Sequence, residues 1–151
     1  MKKLTTAVFG VLVASLVLSI TSYAESSRTY INSRSASDDT ALPFSGAVLA
    51  GDTLYLSGAI GLDENQQIPA DPADEARNVL NAIKANLEQA GMSMDDLVSL
   101  QIFCSDVKHY QVFNEVYRTF FTREFPARAF IGSGELLFNA RFEVQGIAIK
   151  R

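Results

Sequence analysis

The chain has 151 residues, 13 basic and 17 acidic side chains for a net charge of −4, one histidine and one cysteine. An acidic chain with no lysine or arginine cluster is a poor partner for nucleic acid or for an anionic membrane surface. One cysteine, Cys104, excludes an internal disulfide, and one histidine beside it cannot complete a zinc site of the usual His/Cys type.

In chain order, Lys2 and Lys3 precede an uncharged run from Ala7 to Ile20, and Ser22-Tyr23-Ala24 offers small residues before a cut. This is the layout of a cleavable secretory signal peptide. A membrane anchor needs about 20 apolar residues, and this run is shorter. Cleavage after Ala24 is expected to give a periplasmic or secreted protein with no further hold on the membrane. It removes two lysines and no acid, leaving 127 residues and a charge of −6. The expected organisation is a signal peptide at 1–24, a disordered polar leader at 25–41 and one domain at 42–151.

Within the domain, Gly51-Asp52 between Ala47–Ala50 and Thr53–Ser57 predicts a β-hairpin. Asp71 as N-cap, Pro72 in the first turn and Gly91 as stop frame a helix with Val79, Leu80, Ile83 and Leu87 on its apolar face. A strand is predicted from Leu97 to Cys104, whose thiol reads as buried and inert. A second helix is predicted over Tyr110 to Thr122, its aromatic face reading as core. Ala127–Ile131 and Phe142–Ile149 supply the last strands. The order β-β-α-β-α-β-β predicts an α+β fold with both helices on one face of a mixed sheet.

Familiar hydrolase chemistry finds no footing. Gly132-Ser133-Gly134 lacks the spacing of a nucleophile elbow, and any serine or cysteine triad would depend on His109, expected to be exposed at the start of a helix. The unusual residue is Arg128, one charge within the apolar run Phe125-Pro126-Ala127-Arg128-Ala129-Phe130-Ile131. A guanidinium cannot shed its proton, so it needs an anion, a partner or water. Three readings stand open: a bidentate grip on a ligand carboxylate, a salt bridge with Glu143, or an edge strand turned to solvent.

Six pieces then fall in order: Pro43-Phe44-Ser45-Gly46-Ala47-Val48, Leu56-Ser57-Gly58, Ala90-Gly91, Asn114-Glu115-Val116-Tyr117 with Phe120-Phe121, Phe125-Pro126-Ala127-Arg128, and Glu143-Val144-Gln145-Gly146-Ile147-Ala148. In these the chain resembles the reactive-intermediate (imine) deaminase family, also called Rid or YjgF, over about Pro43 to Lys150. The resemblance implies a chorismate-mutase-like homotrimer with sites in the clefts between subunits. It implies that Arg128 binds the carboxylate of a small 2-imino acid, with Ser57, Gly58, Phe44 and Asn114 around it. The main chain at Phe130 and the residue at Gln145 would hold the attacking water, and a 2-keto acid and ammonia would leave. No metal or organic cofactor is implied, because a protonated imine is already electrophilic.

The chain also departs from the family pattern. Gln145 stands where active members carry a glutamate; an amide orients water but cannot take its proton. Phe44 replaces a tyrosine, and Phe130 a cysteine. Structural readings stay open beside these: Ser57-Gly58 as a strand end with close backbone approach, Asn114 as an ordinary helix residue, Gln145 on a solvated sheet face. Two functions remain in contention, an exported imine deaminase and a non-catalytic trimer that binds small carboxylates through Arg128. A third, a surface-contact module, has no specific support in the sequence, and acidity with export argues against a ribonuclease.

Overall fold

The computed structural model describes residues 27–32 and 42–151. The signal peptide at 1–24 lies outside them, as does most of the leader. Among the described residues no helix is long and apolar enough to cross a membrane.

Among the described residues eight main elements follow one another: β1 Arg28–Ile31, β2 Ala47–Ala50, β3 Thr53–Ile60, α1 Pro72–Gln89, β4 Leu97–Cys104, α2 Tyr110–Tyr117, β5 Ala127–Gly132 and β6 Phe142–Ile149. The strands form one sheet in the order β1-β2-β3-β6-β4-β5. All neighbours are antiparallel except β4 and β5. Since β6 is antiparallel to both β3 and β4, those two strands run parallel with β6 between them. Crossovers β3–α1–β4 and β4–α2–β5 therefore join parallel strands and step the same way across the sheet. Crossovers of one hand stepping one way put both helices on one face, the arrangement expected from the element order.

Local chemistry explains the boundaries. Asp71 accepts a hydrogen bond from the Ala73 N–H at 2.8 Å, Pro72 opens α1, and Gly91 closes it at φ 71. Gly146 lets β6 pass close to β4, because a β-carbon there would fall 2.7 Å from the Ser99 carbonyl oxygen. Leu54, Leu100, Ile102, Phe142 and Val144 from the sheet meet Val79, Leu80, Ile83 and Leu87 of α1 and Phe113 of α2, all fully buried.

Three expectations are corrected. The polar leader is not wholly without structure: Arg28–Ile31 pairs with β2, and Ile31 is 5% exposed. An edge strand needs only an open backbone edge and one residue to bury, and the Gly46 N–H donates to the Ile31 carbonyl at 2.8 Å. The second helix stops at Tyr117 and gives way to a single 3₁₀ turn, Arg118–Phe120, rather than running to Thr122. There the Thr122 N–H donates to Asp95 Oδ1 at 3.0 Å and its hydroxyl bonds the same carboxylate, drawing the chain off the helix axis. His109 is half-buried, its ring edge-on to Phe142 at 6.0 Å. That burial lowers its pKa, with Lys108 and Arg141 adding to the effect.

Candidate functional site

Strand alternation decides which way each side chain of β5 points. Arg128 lies in register with Leu100 and Gly146, and Phe130 with Ile102 and Val144. Leu100, Ile102 and Val144 are buried under the helices, so Arg128 and Phe130 face that side. There Arg128 Nη1 donates to Asn114 Oδ1 at 2.8 Å. Asn114 is 9% exposed, so it is no ordinary surface helix residue; it is the neutral partner that fixes the guanidinium.

Aromatic rings complete the setting. The Arg128 guanidinium carbon lies 4.7 Å from the Tyr117 ring centroid and 5.9 Å from those of Tyr110 and Phe130. Ring faces attract a cation and offset part of its desolvation. Tyr117 is 4% exposed and its hydroxyl is buried without a partner among the described residues. Burial pushes this phenol up to about 12, against a smaller pull downward from Arg128. Tyr110, Asn114, Tyr117, Phe125, Pro126 and Arg128 line a cavity of about 200 Å³, with Arg118 as a second cation on its wall. Among the described residues no carboxylate lies within salt-bridge distance of Arg128, so the pairing with Glu143 does not form.

Gln145 points the other way. It shares a register row with Gln101 and Ala129, and its Nε2 donates to Gln101 Oε1 at 2.6 Å on the open face of the sheet. Both amides line a second cavity of about 240 Å³ with Tyr55, Ser99 and Ile147. Glu143, two residues before Gln145, sits on the same face, against Gly58. A β-carbon at Gly58 would lie 2.1 Å from Glu143 Oε1, so glycine is what admits the carboxylate. The Ser57 hydroxyl donates to the Ser45 carbonyl at 2.7 Å, tying down the segment that carries exposed Phe44.

Within one chain, then, Arg128 and Asn114 come together, Gly58 meets Glu143, and Gln145 meets Gln101, but Arg128 and Gln145 lie on opposite faces. The Phe130 ring packs on Phe113 at 5.6 Å and props Tyr110 at 5.0 Å rather than lining the Arg128 cavity. Among the described residues β5 is the outer strand, with one row of its backbone N–H and C=O groups facing away from β4, available to water or ligand. Sequence reasoning missed Tyr110, Tyr117, Arg118 and Phe125 as cavity walls. The available signal was spacing: Arg118 is one helical turn past Asn114, and Phe125 abuts Pro126.

Residues 35–150 match the family described as Endoribonuclease L-PSP. The chain belongs to this family. It is 38% identical over 109 residues to a 2-iminobutanoate/2-iminopropanoate deaminase of Dermatophagoides farinae, covering 71% of this chain and 85% of the relative. Among solved structures, Escherichia coli TdcF with bound serine superposes with a TM-score of 0.70 at 30% identity, over 73% of this chain and 90% of that one. RidA from an Antarctic Psychrobacter species gives 0.68 at 31% identity, over 72% and 89%. The protein is thus a Rid/YjgF member with the α+β fold of that family.

In this Rid protein Cys104 is fully buried and donates to the Asp106 carbonyl at 3.1 Å, and burial pushes its thiol pKa up. It is a core residue, not a nucleophile. Elsewhere, Glu75 is fully buried, Arg141 Nη1 donates to its Oε2 at 2.6 Å, and the N–H groups of Arg141 and Phe142 donate to Oε1 at 2.5 and 3.1 Å. Arg141 also reaches the Pro69 carbonyl at 2.9 Å, locking the loop before α1 to the start of β6.

Proposed function

We propose that this Rid protein hydrolyses small 2-imino acids to 2-keto acids and ammonia. Arg128, oriented by Asn114, grips the substrate carboxylate with two hydrogen bonds and sets the imine carbon in place. Water held by Gln145 and the Phe130 carbonyl adds to that carbon. The carbinolamine then collapses, the carbon–nitrogen bond breaks, and ammonia carries away the proton. Ser57, Gly58 and Phe44 complete the binding cleft.

The observation that carries this reading is the Arg128 guanidinium, buttressed by aromatic rings, bonded to an amide and facing a cavity that no acid of the described residues lines. Support also comes from relatives bearing the name 2-iminobutanoate/2-iminopropanoate deaminase. Because one chain turns Arg128 and Gln145 to opposite faces, a ligand meets both only in a cleft shared by two copies. The proposed homotrimer supplies three such clefts. Its helix-free sheet face, where Tyr55 is 51% and Ile149 is 45% exposed, is suited to burial between copies. Export after cleavage at Ala24 belongs to the same proposal, with the mature N-terminus read by mass spectrometry of the secreted chain.

The alternative is a non-catalytic carboxylate binder, favoured by Gln145, which cannot act as a base. The deciding assay generates imino acid in place with an amino-acid oxidase and follows its loss. Activity in wild type that Arg128→Ala abolishes supports the enzyme. An inert wild type that gains activity as Gln145→Glu supports the binder. Light scattering that returns a monomer removes the shared cleft and both readings with it.

A further inference from the structure

The Arg128 cavity holds a second guanidinium that the proposed hydrolysis of a small neutral imino acid does not use. Arg118 follows Asn114 by one helical turn, and its guanidinium carbon lies 5.9 Å from the Phe125 ring centroid. Phe125 and Tyr117 are stacked, centroids 5.9 Å apart and planes 24° from parallel, while Arg128 rests over Tyr117 at 4.7 Å. Each cation thus sits on its own ring of one stacked pair, and that pair fixes where the two stand relative to each other. Both line the same cavity of about 200 Å³, and among the described residues no aspartate or glutamate lines it. Among the described residues, neither arginine has an acid within salt-bridge distance.

Two like charges held in a small, partly apolar cavity repel each other, and stacking offsets only part of that cost. A ligand bearing two separated negative charges removes the repulsion and gains both attractions. A ligand with one carboxylate satisfies Arg128 and leaves Arg118 to solvent. We infer that the cavity prefers short-chain dicarboxylic 2-imino and 2-keto acids, with Arg128 on the C1 carboxylate and Arg118 on the distal one. This deepens the reading of Arg128 as the carboxylate anchor and rests on it. The upstream reaction that suits such a site is the oxidation of an acidic amino acid to its imine.

Titration calorimetry of the purified mature protein with 2-oxoglutarate and 2-oxobutanoate tests it. Wild type is expected to hold the diacid about tenfold more tightly at low salt, the scale of one added charge pair, with the gap narrowing as salt rises. Arg118→Ala is expected to erase the gap, weakening 2-oxoglutarate far more than 2-oxobutanoate; Arg118 is exposed, so the variant folds. Equal affinities in wild type, or a preference that survives Arg118→Ala, overturns the inference and leaves the Arg128 anchor standing. If Arg128→Ala binds both acids as wild type does, the anchor itself falls, and this inference with it.

Discussion

Asn114 Oδ1 accepts a hydrogen bond from Arg128 Nη1 at 2.8 Å, an amide where a carboxylate would have cancelled the charge. A neutral acceptor orients the guanidinium and leaves its charge for a ligand. Asn114→Asp is therefore expected to weaken binding of 2-oxobutanoate by about tenfold or more, because the new carboxylate competes for the same fork. Asn114→Ala is expected to weaken it less, since it loosens Arg128 without neutralising it. Calorimetry on both variants checks the order; tighter binding in Asn114→Asp would remove Asn114 from the anchor.

Glu75 is the one fully buried acid of the described core, and three donors converge on it. Removing it takes the ion-pair partner from the Arg141 guanidinium, which keeps the Pro69 and Ala70 carbonyls, and leaves two backbone N–H groups without their acceptor at the join of α1 and β6. Glu75→Ala is expected to cost about 3–5 kcal/mol of stability, the scale of breaking a buried pair from one side. Glu75→Gln keeps an acceptor and is expected to cost less. Thermal or urea denaturation of the two variants gives the comparison; equal losses would mean that charge, not hydrogen bonding, holds the lock.

The sequence made the strands and helices legible where pattern and punctuation agreed. Leu97–Cys104 and Phe142–Ile149 fall at the predicted residues, as do Asp71, Pro72 and Gly91 around α1. It hid features that depend on partners far along the chain. Arg28–Ile31 lies in a polar, serine-rich stretch and becomes a strand where β2 offers an edge, and α2 ends early because Asp95 captures Thr122. At the site, Arg128 announced itself by being a charge in an apolar run. Its surroundings did not, because the aromatic positions of α2 read as core, and most are; only the fold shows that Tyr117 serves both core and cavity.

Tyr117 makes that double role measurable. Its phenol is pushed up from the ordinary 10.0 to about 12 by burial. A raised acid pKa in the folded state leaves stability intact below the unfolded value and removes it as pH rises between the two. Stability is therefore expected to fall from pH 10 towards 12, and Tyr117→Phe to lose that slope. An absorbance titration of the phenolate band in wild type is expected to show one late-ionising tyrosine that is missing from Tyr117→Phe. A late step that persists in the variant would assign the shift elsewhere.

Gly58 and Glu143 offer a test of the open face that leaves Arg128 untouched. A β-carbon at position 58 would stand 2.1 Å from Glu143 Oε1 and 3.1 Å from its Cδ, so the carboxylate has to move if Gly58 gains a side chain. The contact is with the far end of a flexible side chain, so Gly58→Ala is expected to cost about 1–3 kcal/mol rather than prevent folding. Glu143→Ala empties the space instead. In the double variant the clash is gone, so its loss is expected to be smaller than the two single losses together by more than about 0.5 kcal/mol, the threshold for coupled neighbours. Strict additivity in urea denaturation would mean that Glu143 leaves Gly58 at no cost, and that glycine is required there by the backbone bulge between Leu56 and Ala59 instead.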